Sequence, residues 1–127
     1  LPATGSGPPA PHAHPAVAAA LKLIDDHPEE PWTLASLARR VGAQPAYFVR
    51  LFHRATGLPP IAYLARRRAE MAAAPLRRGD LPIGQIGTAV GWPAPNQFSR
   101  RFREKFGLSP TAYRTRFARV RDTSKRP

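Results

Sequence analysis

The chain writes one pattern twice, and this duplication restricts its fold more than any other feature. "AYFVRLFHRATGLPP" at residues 46–60 returns as "NQFSRRFREKFGLSP" at residues 96–110. At an offset of 50, Pro45/Pro95, Phe48/Phe98, Arg50/Arg100, Phe52/Phe102, Gly57/Gly107, Leu58/Leu108, Pro60/Pro110, Ala62/Ala112 and Tyr63/Tyr113 are identical pairs. Upstream the offset becomes 49, pairing Val41 with Val90 and Gly42 with Gly91, with Leu34/Ile83 and Leu37/Ile86 similar. The second copy therefore holds one extra residue between Gly91 and Pro95. A fold that accepts this sequence has to contain the same small unit in two versions.

The signals inside each copy are helical. Val17, Ala20, Leu21 and Ile24 recur at helical spacing, and His27-Pro28 ends that run. Thr33 is placed to cap "LASLARRV", whose Leu34, Leu37, Ala38 and Val41 share a face, and Gly42 supplies the turn. Pro45 suits a first helical position, so the next helix is expected from Pro45 to about Thr56 with Phe48, Leu51 and Phe52 inward. A longer helix with Ile61, Leu64, Met71 and Leu76 is expected from Pro60 to about Arg78. Pro75 should kink or shorten it, because proline lacks the amide donor and crowds the preceding turn. The plan then repeats: a short helix opened by Pro82, a helix from Pro95 to about Phe106, and, after Ser109 as N-cap, a last helix from Pro110 to about Arg121.

The expected fold is all-α and homeodomain-like, with seven helices and no strand. Two helix-turn-helix subdomains, residues 15–58 and 80–121, are joined by a long linker helix at 59–79. A Pro-, Gly- and Ala-rich stretch, residues 1–14, reads as a flexible linker, and residues 122–127 as a disordered tail. The chain begins at Leu1 rather than an initiator Met, as a fragment or a processed product would. "LPATG" at the start matches a sortase signal, but neither the apolar segment nor the basic tail that such a signal needs follows it.

Short helix, glycine turn, second helix is an arrangement that can place its second helix in a DNA major groove or can serve as plain architecture. The outer face of the second helix decides between them. At about 100° per residue, the face opposite Phe48, Leu51 and Phe52 carries Ala46, Val49, Arg50 and His53. The second copy carries Asn96, Ser99, Arg100 and Arg103 there, with Gln97 at the flank. Arginine suits bidentate reading of guanine, and Asn or Gln suits adenine. For one arginine a solvated charge is an adequate reading; recurrence at an equivalent position favours DNA.

Charge agrees. Of 127 residues, 20 are Lys or Arg and 8 are Asp or Glu, giving a net +12. Residues 1–30 hold Asp25, Asp26, Glu29 and Glu30 against Lys22, a net of −3, so residues 31–127 carry 19 bases against 4 acids, or +15. Such a surplus fits a polyanionic partner. Other classes fit poorly. There is no cysteine, hence no disulfide, thiol nucleophile or thiolate metal site. His12 and His14 lack further ligands, so no metal and no cofactor are expected. His27 and His53 have no partner acid or nucleophile at a recognisable spacing, so no enzyme is expected. No run approaches the roughly 20 apolar residues of a membrane span, and no signal segment opens the chain, so a soluble cytoplasmic protein is the default. The remaining alternative is a non-specific nucleic-acid-binding or protein-interaction helical module, the acidic first helix meeting another domain.

The segments "LASLARRVG", "DLPIGQIGTAVGW" and "GWPAPNQFSRRFREKFGLSPTAYR" resemble the DNA-binding domain of the AraC/XylS family of bacterial transcriptional regulators, over roughly residues 17–116. The resemblance implies two helix-turn-helix subdomains on a linker helix that bind double-stranded DNA. It implies activation, or in some members repression, often through contact with RNA polymerase. It also implies a separate N-terminal effector or dimerisation domain in many members. The family's base-reading positions fall on Ala46, Val49 and Arg50 and on Asn96, Gln97 and Arg100. Some members have polar residues where this chain has Ala46 and Val49, so the second half-site is expected to be the more stringently specified. Arg39, Arg40, Arg54, Arg66, Arg67, Arg68, Arg101, Arg103 and Arg114 are candidates for phosphate contact, each weighed evenly against an ordinary solvated face. Trp32 and Trp92 are expected to pack in the core or at helix edges, and Tyr63 and Tyr113 to plug their subdomains.

Overall fold

The computed structural model describes residues 14–118; the expected tail and all but the last residue of the expected linker lie outside them. The described residues form seven α-helices and no strand: α1 (Pro15–Asp26), α2 (Leu34–Arg40), α3 (Pro45–Thr56), α4 (Pro60–Arg78), α5 (Ile83–Ala89), α6 (Pro95–Phe106) and α7 (Pro110–Phe117). They divide into two compact units, one ending at Ala65 and one beginning at Arg66, so the boundary falls inside α4.

In the first unit each helix start has a local cause. His14 closes the linker as the N-cap of α1, its Nδ1 accepting from the Ala16 amide at 3.1 Å. Thr33 caps α2 reciprocally: its hydroxyl accepts from the Ser36 amide at 3.0 Å, and its own amide donates to the Ser36 hydroxyl at 2.9 Å. Gln44 and Pro45 open α3, and Gly57 closes it at φ 84°, donating to the His53 carbonyl at 2.7 Å. The amphipathic faces of these helices meet in a core of Val17, Ala20, Ile24, Trp32, Leu37, Ala38, Phe48, Phe52 and Leu64. Trp32 packs as expected, its indole N–H donating to the His27 carbonyl at 3.0 Å. Tyr63 lies edge-on to Phe52 with ring centroids 5.3 Å apart.

The second unit repeats the plan with different filling. Gly107 ends α6 at φ 78° and donates to the Arg103 carbonyl at 2.7 Å, matching Gly57 and His53 bond for bond. Val41 and Val90 end α2 and α5 with the same dihedrals, φ −97° and ψ 4°. Ser109 caps α7 by accepting from the Ala112 amide at 3.1 Å. Tyr113 lies edge-on to Phe102 with ring centroids 5.1 Å apart, and its hydroxyl accepts from Arg77 at 2.9 Å.

The turn shows why the copies differ. The Ala43 amide reaches the Ala38 carbonyl at 2.9 Å, and at the same register the Trp92 amide reaches the Gly87 carbonyl at 2.7 Å. Where the first copy has two alanines, the second has a glycine and a tryptophan. A Cβ on Gly87 would stand 2.7 Å from both the Trp92 carbonyl oxygen and Phe98 Cδ2. The glycine thus makes room for the Trp92 carbonyl and the Phe98 ring, and the Trp92 indole, 3% exposed, packs on Phe98.

Two expectations need correction. α4 spans Pro60–Arg78 as expected but is not shortened at Pro75, and the Gly79 amide still bonds to the Pro75 carbonyl at 3.1 Å. Burial of Ala69, Ala72, Ala73 and Leu76 along this stretch holds the helix through the proline. Ile61 of the same helix is exposed. α7 stops at Phe117, with Ala118 extended, rather than near Arg121. Only Pro110 and Tyr113 of this helix are buried, too little apolar contact to sustain further turns.

Gly87→Ala should lower the stability of the second unit by about 1–3 kcal/mol through overpacking. Urea unfolding followed by tryptophan fluorescence would reveal the loss, and an unchanged midpoint would mean that Phe98 and the turn yield freely.

Candidate nucleic-acid interface

α3 and α6 are both 12 residues long, both opened by proline at the first position and both closed by a left-handed glycine. Each buries two phenylalanines, Phe48 with Phe52 and Phe98 with Phe102. With that side fixed inward, helical geometry turns the opposite side to solvent. On α3, Ala46 and Arg50 are exposed and Val49 is half-buried; on α6, Asn96 and Arg100 are exposed and Gln97 is half-buried. Within each unit the three expected base-reading residues therefore share an accessible face. Val49, Arg50, His53 and Arg54 line an open hollow along α3.

The expected phosphate-contacting arginines separate into groups. Arg39, Arg40, Arg54 and Arg103 are exposed at or near helix C-termini, where a cation is also favoured by the helix dipole. Arg40 additionally lies over Trp32, its guanidinium 5.4 Å from the ring centroid. Arg66, Arg67 and Arg101 are half-buried and pair with acids: Arg66 and Arg67 with Glu70 at 3.8 and 3.2 Å, and Arg101 with Glu104 at 3.5 Å. Lys105, on α6, also reaches Glu70, at 3.6 Å. Pairs this exposed are worth little, and a phosphate can compete for such cations.

Arg68 and Arg114 already have partners within the second unit. Arg68 is 8% exposed, and its guanidinium sits 5.9 Å from the Trp92 ring centroid. The guanidinium thus lies against the tryptophan of the second turn. Arg114, half-buried, donates to the Leu81 carbonyl and so ties α7 to the segment before α5. The Tyr113 hydroxyl, engaged by Arg77, serves the same structural purpose.

Sequence reasoning passed over Tyr47. It is 46% exposed on the outer part of α3, with the Arg50 guanidinium 5.7 Å from its ring centroid. The signal was present: at the offset of 50, Tyr47 is the counterpart of Gln97. Among the described residues no cluster of three or more His, Asp or Glu could hold a metal ion, and no helix is long and apolar enough to cross a membrane.

Comparison with known proteins bears on this geometry. A family model described as a helix-turn-helix domain matches residues 37–116. The HTH-type transcriptional regulator AlkR of Acinetobacter baylyi is 37% identical over 101 residues, which are 80% of this chain and 33% of AlkR. The chain thus spans about a third of the length of that regulator. The regulatory protein SoxS of Salmonella typhimurium is 32% identical over 76% of this chain and 90% of SoxS. Among solved structures, the C-terminal domain of AraT, a response regulator from Geobacillus stearothermophilus, superposes with a TM-score of 0.79 at 32% identity, covering 84% of this chain and 88% of that one. With a matching model over most of its described length and a relative aligned almost end to end, the chain belongs to the AraC/XylS family of DNA-binding transcriptional regulators.

Proposed function

We propose that the chain is the DNA-reading part of a cytoplasmic transcriptional regulator that works by binding and not by catalysis. In this reading α3 and α6 enter successive major grooves of one duplex. Ala46, Val49 and Arg50 meet one half-site, and Asn96, Gln97 and Arg100 meet the other. One observation carries it: an exposed arginine stands at the same register of both helices, opposite a buried phenylalanine pair in each. Arg50 and Arg100 supply forked donors for guanine, Asn96 and Gln97 amides for adenine, and Ala46 and Val49 apolar contact with thymine methyls. The length of α4 supports the groove spacing: 19 residues at about 1.5 Å each span about 28 Å, close to the roughly 34 Å between grooves on one face of B-DNA.

Arg39, Arg40, Arg54 and Arg103 take phosphate contacts in this reading, and Arg66, Arg67 and Arg101 join them by exchanging a carboxylate for a phosphate. The match to a third of AlkR supports placing the chain in a longer regulator. An N-terminal effector or dimerisation domain and RNA polymerase are its proposed partners.

Selection of bound duplexes from a random-sequence pool should return two half-sites about one helical turn apart. Arg50→Ala and Arg100→Ala should each cost about 1–3 kcal/mol of binding to the selected duplex and flatten the preference at a different base pair. A pool that returns no common sequence would overturn the reading. In a substitution scan of the selected duplex, the half-site read by α6 should tolerate fewer changes than the one read by α3; the reverse order would count against the assignment of Ala46 and Val49. Arg103→Ala should reduce the slope of log affinity against log salt by about one, as loss of a phosphate contact does. Arg68→Ala should leave that slope unchanged but lower stability by about 1–2 kcal/mol, because its work is packing on Trp92.

A further inference from the structure

We infer that Tyr47 is a positioning and specificity-determining residue of the first reading helix: its ring is the platform that holds the Arg50 guanidinium in the orientation needed to read a base. The inference rests on the base-reading role proposed for Arg50. An arginine on an exposed helix face has many rotamers, and bidentate reading uses only the few that present the planar fork edge-on to guanine. An aromatic face near the guanidinium narrows that set before DNA arrives, because the ring's negative face attracts the cation and the flat surfaces stack.

Three features of α3 supply this arrangement. Tyr47 and Arg50 are three residues apart, so their side chains lie on neighbouring parts of one surface. The Arg50 guanidinium is 5.7 Å from the Tyr47 ring centroid. The ring also meets His14, the N-cap of α1, edge-on, with centroids 6.3 Å apart and planes at 77°. Tyr47 is thus braced by one unit's own N-terminal helix while remaining 46% exposed. An aromatic so exposed contributes little to the core, which leaves its placement beside Arg50 to be explained.

The duplication sharpens the contrast. Gln97 occupies the position in α6 that Tyr47 occupies in α3, and an amide offers Arg100 no ring. The two helices therefore use one register differently: α6 adds a second hydrogen-bonding side chain, whereas α3 steadies the arginine it has. With Ala46 and Val49 as the other proposed base-reading residues of α3, Arg50 is the one among the three that reads by hydrogen bonds, and a platform raises what that side chain can discriminate.

The test measures binding of the intact chain to the duplex it selects from a random pool, and to that duplex with each base pair changed in turn. The base pair read by Arg50 is the one whose preference Arg50→Ala flattens. Tyr47→Ala should reduce discrimination at that base pair by roughly two- to five-fold and leave discrimination elsewhere unchanged. Tyr47→Phe should behave as the parent chain, because the ring and not the hydroxyl acts. In an Arg50→Ala background, Tyr47→Ala should add nothing. Thermal melts of the variants check that helix content and stability are retained. The inference fails if Tyr47→Ala keeps full discrimination at the Arg50 base pair, if Tyr47→Phe loses as much as Tyr47→Ala, or if the Tyr47→Ala effect persists without Arg50. An Arg50→Ala chain that keeps every base preference would instead sink the base-reading role of Arg50, and this inference with it.

Discussion

Two phenylalanines one turn apart, repeated in each unit, are the constraint from which the rest follows. Phe48 and Phe52 are fully buried in the first core, and Phe98 and Phe102 are 2% and 0% exposed in the second. Burying a pair of rings on the same side fixes the rotation of a helix about its axis, since turning it would bring both rings into water at a cost of about 1.5–3 kcal/mol each. Once rotation is fixed, the identity of the outward residues is no longer free. Arg50 and Arg100 face solvent because the phenylalanines do not. The proposed reading surface is in this sense a by-product of core packing, and the glycine caps at Gly57 and Gly107 end both helices at the same length.

The large positive charge does several jobs, and only some of them concern DNA. Composition treats every arginine alike, but Arg68 is built into the packing around Trp92, Arg77 holds the Tyr113 hydroxyl, and Arg114 ties α7 to the backbone at Leu81. Guanidinium suits such places because it is planar, weakly hydrated and rich in donors, so it can lie on an aromatic face or serve a carbonyl without losing its charge. Glu70 gathers Arg66, Arg67 and Lys105, tempering local repulsion among cations that a polyanion would otherwise have to neutralise. Arg39, Arg54 and Arg103, exposed at the ends of α2, α3 and α6, sit where the helix dipole also favours a cation.

The copies also show how a duplicated unit drifts while keeping its geometry. The backbone bonds that close each turn, Ala43 to Ala38 and Trp92 to Gly87, persist although every side chain involved has changed size or partner. At Gly87 the space of a methyl is taken by the Trp92 carbonyl and the Phe98 ring, so the second turn closes without the alanine of the first. Outside the core no such coupling operates, so Tyr47 and Gln97 were free to diverge, and with them the chemistry of the two reading faces.

The sequence by itself determined the elements, because helix starts and stops are local chemistry. Thr33, Ser109 and the prolines at 45, 60, 95 and 110 open helices, Gly57 and Gly107 close them, and apolar spacing names the buried face; each acts within a few residues. Tertiary structure decided whatever depends on partners distant along the chain. Pro75 was tolerated because burial of its neighbours outweighed a lost hydrogen bond, and α7 ended early because little packs against it. Arg68 is buried against Trp92, and the Tyr47 ring lies near both His14 and Arg50. Periodicity can say which way a side chain leaves its helix, but only the packed chain says what it meets there.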